Sequence, residues 1–333
     1  MKPILNKILL LFIILMCAYS LLNRHHSVLS DTVVMVTPDS FNFNNETAKT
    51  NFFQKIGNIS DSQRKMVINE FYKMVETLKK NGINVILLKS KKNGNNPDSI
   101  FPNNWFSVNF NNDNRRILII YPMLTKNRSK EQQPVNLIKE LEKNGIHFNK
   151  IINLSRFEWE NHTLEGTGSI VLDRKNKILY SSISSRTDKK LVDLFCKNLG
   201  YRSVVFHSYD LGNNPIYHTN VMLSIGSNFA IVSLKSIHDI EERKNVIKSI
   251  IASNKQIIEI SPIQVNEMDG NILELQSQNT RDHKIILSFR AFDALTGFQK
   301  DQLSRWGKLI PIDIDIIEKV GGGGVRCMMA EVF

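Results

Sequence analysis

Three side chains of complementary chemistry stand in unusual settings along this sequence. Cys327 follows four glycines in GGGGVRC, Glu165 lies in LEGTGS, and His218 lies in YHTNVM. A thiol, an imidazole and a carboxylate are the parts from which nucleophilic catalysis with proton transfer is assembled. Glycine runs suit backbone that must take positive φ or come close to another group. Cys327 is therefore either a small buried apolar residue or a nucleophile placed on an open loop. The order of elements must decide whether residues so far apart can meet.

A helix, a glycine or asparagine stop and a β-branched strand recur five times. In SDSQRKMVINEFYKMVETLKKNGINVILL, Ser60 or Asp61 can cap a helix whose face is Val67, Phe71, Met74 and Leu78, with Gly82 as its stop. PVNLIKELEKNGIHFNKIINL has Pro134 in the first turn and Gly145 as the stop. TDKKLVDLFCKNLGYRSVVF reads as capped by Thr187 and stopped by Gly200. DIEERKNVIKSIIASNKQIIEI stops at Asn254, and TGFQKDQLSRWGKLIPIDI at Gly307. Strand-like runs lie at 33–36, 116–120, 168–172, 229–233 and 284–289. Helix starts spaced by about 50–75 residues predict a repeat architecture, a ring of five α/β units over residues 31–333.

Five stretches break this pattern at corresponding points: FPNNWF (101–106), LEGTGS (164–169), YHTNVM (217–222), EMDGN (267–271) and GGGGVRC (321–327). Equivalence of the repeats would aim all five at one central channel. That brings Asn103, Asn104, Glu165, His218, Asp269 and Cys327 together. Cys196, among Leu191, Val192, Phe195 and Leu199 of one helix face, reads as packing.

The formal charge of +11 comes from lysines scattered over helix faces, without a block of six like charges, which argues against nucleic-acid binding. Three cysteines make no disulfide framework, and no CxxC or HExxH spacing points to a metal. Five Asn-x-Ser/Thr sequons are about what this composition produces by chance. At the N-terminus, Lys2 and Lys7 precede an apolar run from Ile8 to Leu22. The run is shorter than the ~20 residues of a spanning helix and fits either a signal peptide, with Ala18-Tyr19-Ser20 as a weak cleavage site, or an uncleaved anchor. Residues 1–30 are thus expected to address the domain to a membrane or to secretion.

The stretches VVMVTPDSFNFNNETAKTNFFQ, FPNNWFS, YPMLTKNR, LEGTGSIVLDR, YHTNVMLSIG and GGGGVRCMMAEVF run in order from residue 32 to the C-terminus. In them the chain resembles the pentein superfamily of guanidino-group-modifying enzymes. The likeness is strongest to the amidinotransferase-like branch of citrulline-utilisation hydrolases. The resemblance implies a five-bladed α/β propeller with a central active site, a covalent Cys/His/Glu mechanism and no cofactor. The implied substrate is a guanidino or ureido small molecule. Cys327 would attack the guanidino or ureido carbon, His218 would move protons, and Glu165 would hold the planar N–C–N group. Arg326 and the glycine amides would lower the pKa of Cys327.

The sequence departs from the arginine-deiminase pattern. A carboxylate two residues after the histidine is replaced by Asn220, and another near the first motif by Asn103-Asn104. A guanidinium offers only donors, whereas a ureido carbonyl can accept from an amide, so these asparagines predict that ureido substrates are preferred or tolerated. Asp269 is either a compensating carboxylate or the aspartate of a DG turn. Arg174 would hold a substrate carboxylate or form a surface ion pair, and Asn271 is undecided. An amidinotransferase, a catalytically silent binding module and a cysteine peptidase are the competing readings, and a homo-oligomer is allowed.

Overall fold

The computed structural model describes residues 28–55, 57–91 and 96–333. The expected signal or anchor run, Ile8 to Leu22, lies outside them. Among the described residues no helix is long and apolar enough to cross a membrane.

The repeat becomes a set of five three-stranded sheets. Strand β1 (Thr32–Val36) pairs in parallel with β2 (Asn84–Leu88), in register Thr32↔Asn84. A parallel pair needs a crossover, and α1 (Asp61–Lys80) supplies it. Ser60 caps α1 in a capping box with Gln63, and Val67, Phe71, Met74 and Leu78 are buried, as their spacing predicts. The second sheet holds β3 (Phe106–Phe110), β4 (Arg116–Ile120) and β5 (Lys150–Asn153), with α2 (Pro134–Lys143) between the last two. The third holds β6 (Val171–Asp173), β7 (Ile178–Ser182) and β8 (Arg202–Phe206), with α3 (Lys189–Leu199). The fourth holds β9 (Leu223–Ile225), β10 (Phe229–Val232) and β11 (Gln256–Glu259), with α4 (Ile240–Ala252). The fifth holds β12 (Leu273–Gln276), β13 (His283–Ser288) and β14 (Lys308–Ile312), with α5 (Gly297–Ser304). The last strand, β15 (Ala330–Val332), returns to pair antiparallel with β1 and completes the first sheet.

Each sheet therefore repeats one plan: a first strand antiparallel to the middle strand, then a helix, then a third strand parallel to the middle one. First strands of neighbouring sheets touch, β15 against β3, β6 against β9 and β9 against β12, so they lie toward the common axis. The apolar cores sit between adjacent sheets. One runs from Val171 and Tyr180 through Ile231 to Ile285 and Leu287, and so ties three repeats together. Each such buried aliphatic or aromatic side chain contributes about 1.5–3 kcal/mol of transfer free energy.

The run 168–172 is not the middle strand of its repeat. Gly166–Ser169 forms a short helix, β6 keeps only three residues, and the middle strand is β7 in KILYSS. The cap of α3 is Asp188, whose side chain accepts from Lys190 N–H, and not Thr187. Thr187 is instead buried and bridged to Leu164.

Candidate active site

Every expected loop falls immediately before a first strand. Pro102–Asn104 precedes β3, Gly166–Ser169 precedes β6, Thr219–Val221 precedes β9, residues 267–271 precede β12, and Cys327 precedes β15. Three of these are single helical turns, which swing side chains toward the axis just before the strand begins.

Glu165 and His218, from the third and fourth sheets, meet in full burial, with 2.8 Å between Glu165 Oε2 and His218 Nε2. Glu165 Oε2 also faces Arg186 Nη1 at 3.3 Å, and its Oε1 accepts from Leu124 N–H at 3.1 Å. Burial opposes charge on Glu165, but Arg186, the His218 hydrogen bond and Arg128 outweigh it, so its carboxyl titrates well below the usual range. Burial pushes His218 the other way, down to about 4, against the pull of Glu165. The resting pair is a carboxylate and a neutral imidazole.

Cys327 is buried in a cradle of amides. Asn271 Nδ2 lies 3.3 Å and Asn220 Nδ2 3.5 Å from its sulfur. Asn271 is fixed at both ends, accepting Arg326 N–H at 3.1 Å and donating to Asn220 C=O at 3.0 Å. The glycine run explains the chain's approach: the helix Asp315–Gly321 ends in Gly322, at φ 66°, and the Tyr217 hydroxyl donates to its carbonyl at 2.6 Å. Arg326 and the Gly324 backbone do pull the thiol pKa down, as expected, yet the net shift is upward. Burial dominates over the two asparagines and Arg326, and the Arg326 guanidinium is spent on Met329 C=O and Glu331.

Asn103 and Asn104 arrive with the first motif, fully buried. Asn104 Oδ1 accepts from Arg128 Nη1 at 2.8 Å, while its Nδ2 and both amide atoms of Asn103 have no partner. A Cβ on Gly168 would lie 2.4 Å from Asn104 Nδ2 and 2.8 Å from His218 Nδ1, so Gly168 is what lets these two groups share one space. Buried polar atoms without partners are costly, so these three amide atoms want partners that the surrounding side chains do not supply.

Two residues escaped the sequence reading. Asp98 is buried, with Oδ2 held by Asn44 Nδ2 at 2.6 Å and by the Thr47 hydroxyl at 3.0 Å, and with Oδ1 free. Arg186 spans Glu165, Thr47 C=O at 3.2 Å and the Thr50 hydroxyl at 2.8 Å. The segment after β1 thus folds over the site and is tied to it by Asn44, Thr47 and Thr50. Asp98 carried no signal beyond its place beside FPNNWF, and Arg186 none beyond preceding the third helix.

The structure does not bring Arg174 or Asp269 to the thiol. Arg174 lies at the other end of β6, bonded to Asn109 Oδ1 at 2.8 Å, near Glu331 and over the Phe333 ring. In the loop 267–271 it is Asn271 that touches sulfur; Asp269 is buried toward Glu267, Arg290 and Glu318. Cys196 is free and packs in the core between the second and third sheets, as expected. Among the described residues no group of His, Cys, Asp and Glu converges as a metal site would.

Comparison with known proteins agrees with this geometry. A family profile described as N,N dimethylarginine dimethylhydrolase, eukaryotic, matches residues 37–333. The N-terminal domain of ArgZ, an arginine dihydrolase from the ornithine-ammonia cycle in cyanobacteria, superposes with TM-score 0.68 at 19% identity, covering 90% of this chain and 97% of that one. Against the apo structure of ArgZ this chain spans 40% of that chain's length. Unliganded AgrE gives 0.70 at 18% identity, over 91% of this chain and 39% of that one. DDAH from Pseudomonas aeruginosa gives 0.62 at 14% identity, over 91% and 100%. These structures share the fold; no curated protein sequence matches. The chain belongs to the N,N dimethylarginine dimethylhydrolase family, within the pentein superfamily.

Proposed function

We propose that this protein hydrolyses C–N bonds of guanidino small molecules, and of their ureido products, through a covalent intermediate on Cys327. The observation that carries this reading is that Glu165 and His218 meet in full burial while Cys327, also buried and from another sheet, is held by Asn220, two residues after His218. Solved structures of similar fold include ArgZ with substrate, AgrE with L-arginine and DDAH with citrulline, which supports the substrate class.

The electrostatics suggest how the site is switched on. The resting thiol is neutral, because burial raises its pKa. A guanidinium held on the ionised Glu165 brings positive charge beside the sulfur and favours thiolate. The thiol proton passes to neutral His218 as the new S–C bond forms. The imidazolium then gives that proton to the amine that leaves as the C–N bond breaks. Water attacks the thiouronium carbon and His218 takes one of its protons; the C–S bond breaks as the carbonyl forms and the second proton passes to solvent, and His218 returns its proton to sulfur. The products are a ureido compound and an amine. The amide groups of Asn103 and Asn104 can donate to a ureido oxygen. A second passage would then release ammonia and leave a thiocarbamate for water to resolve.

The test is to offer arginine, citrulline and a dimethylated arginine to the purified protein, following ammonia, dimethylamine, citrulline and ornithine together. Products that vanish with Cys327→Ser support the reading; a folded protein inert toward all three overturns it. We also propose that residues 1–30 tether or export the domain. Fractionation of cells expressing the full chain and a chain lacking that segment tests this, and identical soluble distribution would refute it.

A further inference from the structure

An acidic cavity of about 540 Å³ lies outside the site described above and is not used by its chemistry. It is lined by Glu267, Arg290, Asp293, Asp313, Asp315 and Glu318. Two of these carboxylates are already matched within the protein: Glu267 holds Arg290 Nε at 2.5 Å, and Asp315 holds Lys319 Nζ at 2.6 Å. Asp293 and Asp313 are exposed at the rim. Glu318 is fully buried at the base, neither of its oxygens receives a well-formed hydrogen bond although the Ser288 hydroxyl lies beside them, and Arg290 Nη1 stands 3.9 Å off. A Cβ on Gly324 would lie 3.0 Å from Glu318 Oε1 and 2.7 Å from Asn271 Oδ1, so the base of this cavity backs onto the cradle of Cys327.

A buried carboxylate that Ser288 and Arg290 only partly satisfy, under an acidic rim, is an arrangement for a cation. The carboxylates are spread along the cavity and no three converge as metal ligands would, so the fitting cation is an extended organic one. We propose that this cavity binds a small aliphatic diamine, one ammonium on Glu318 and the other between Asp293 and Asp313. This goes beyond the hydrolytic reading and does not depend on it.

Protonation gives the proposal a signature. Burial, with Asp315 and Glu267 adding to it, pushes Glu318 up to about 8. Around it are Asp315 on its own helix, Arg290 and Asp293 after β13, Asp313 after β14, and Glu267 and Asp269 before β12, Asp269 itself pushed up to about 8 by burial. Glu70 of α1 is turned instead to Ile316 and Ile317 N–H. An empty cavity at pH 7 therefore holds Glu318 neutral, and an arriving ammonium expels its proton.

Calorimetric titration of the full chain with 1,4-diaminobutane, in two buffers of different ionisation enthalpy at pH 7, tests this. The expected result is binding with proton release, tightening as pH rises toward 8. Glu318→Gln, isosteric with the neutral acid, removes the proton release and weakens binding about tenfold or more. Asp293→Asn with Asp313→Asn, at exposed positions where folding is not at stake, weakens it by a similar factor. Glu165→Gln leaves it unchanged. Absence of binding at millimolar diamine, binding indifferent to both cavity variants, or binding lost in Glu165→Gln would each overturn the assignment.

Discussion

Asn271 Nδ2 stands 3.3 Å from the sulfur of Cys327, and the same side chain is anchored by Arg326 N–H. A donor held against sulfur stabilises thiolate over thiol, and it is one of the few influences opposing the burial that raises this pKa. Asn271→Asp keeps the anchor but replaces the donor with an oxygen acceptor. The variant's thiol should react more slowly with iodoacetamide at pH 8, with its pKa displaced upward by about one unit. An unchanged alkylation profile would show that Asn271 does not tune the nucleophile.

Acid stability carries the mark of the buried imidazole. Folding lowers His218 from its ordinary 6.5 to about 4, so as pH falls through that window the unfolded chain takes up a proton first. The stability that a neutral His218 confers is complete above pH 6.5 and is lost as pH falls toward 4. Glu70, Glu131, Asp269 and Glu318, all raised by burial, act in the opposite sense over part of the range. The effect is therefore read as a difference: the urea midpoint of wild type minus that of His218→Asn should shrink from pH 7 to pH 4. A constant difference would contradict the neutral, buried imidazole.

Gly168→Ala tests how tightly the site is built. The added Cβ meets Asn104 Nδ2 at 2.4 Å and His218 Nδ1 at 2.8 Å, both ends of side chains and not backbone. The fold should survive while turnover falls on the order of 100-fold, since a misplacement near 1 Å has that effect on catalysis. Near wild-type kcat would mean that Asn104 and His218 do not share the reacting space.

Asn104→Asp tests the substrate preference. Arg128 donates to Asn104 Oδ1 at 2.8 Å and would accept the exchange, while a carboxylate beside the substrate favours an all-donor guanidinium. The ratio of kcat/KM for arginine over citrulline should rise about tenfold. A fall or no change would remove Asn104 from the determinants of specificity.

The sequence and the structure part company at identifiable places. The stops Gly82, Gly145 and Gly200 do end their helices at positive φ, and the runs at 33–36, 116–120, 229–233 and 284–289 are middle strands, because β-branched periodicity and glycine chemistry act locally. The run at 168–172 misled because its apolar residues lead into a strand of only three residues, while the true middle strand ends in two buried serines, Ser181 and Ser182. Glu165, His218 and Cys327 were legible because equivalent points in a repeat must share one axis. Within the loop 267–271, however, only the three-dimensional turn decides that Asn271 and not Asp269 reaches the sulfur. Asp98 and Arg186 acquire their places through contacts with the segment after β1, which no local pattern announces.

The central claim, a covalent intermediate on Cys327, is tested most directly by quenching the protein in acid during steady-state turnover and mapping the adduct by mass spectrometry. With arginine or citrulline present, a thiouronium or thiocarbamate mass increment should appear on the peptide carrying Cys327 and be absent in Cys327→Ser together with all turnover. Turnover that persists in Cys327→Ser, or an adduct carried by Cys196, would contradict it.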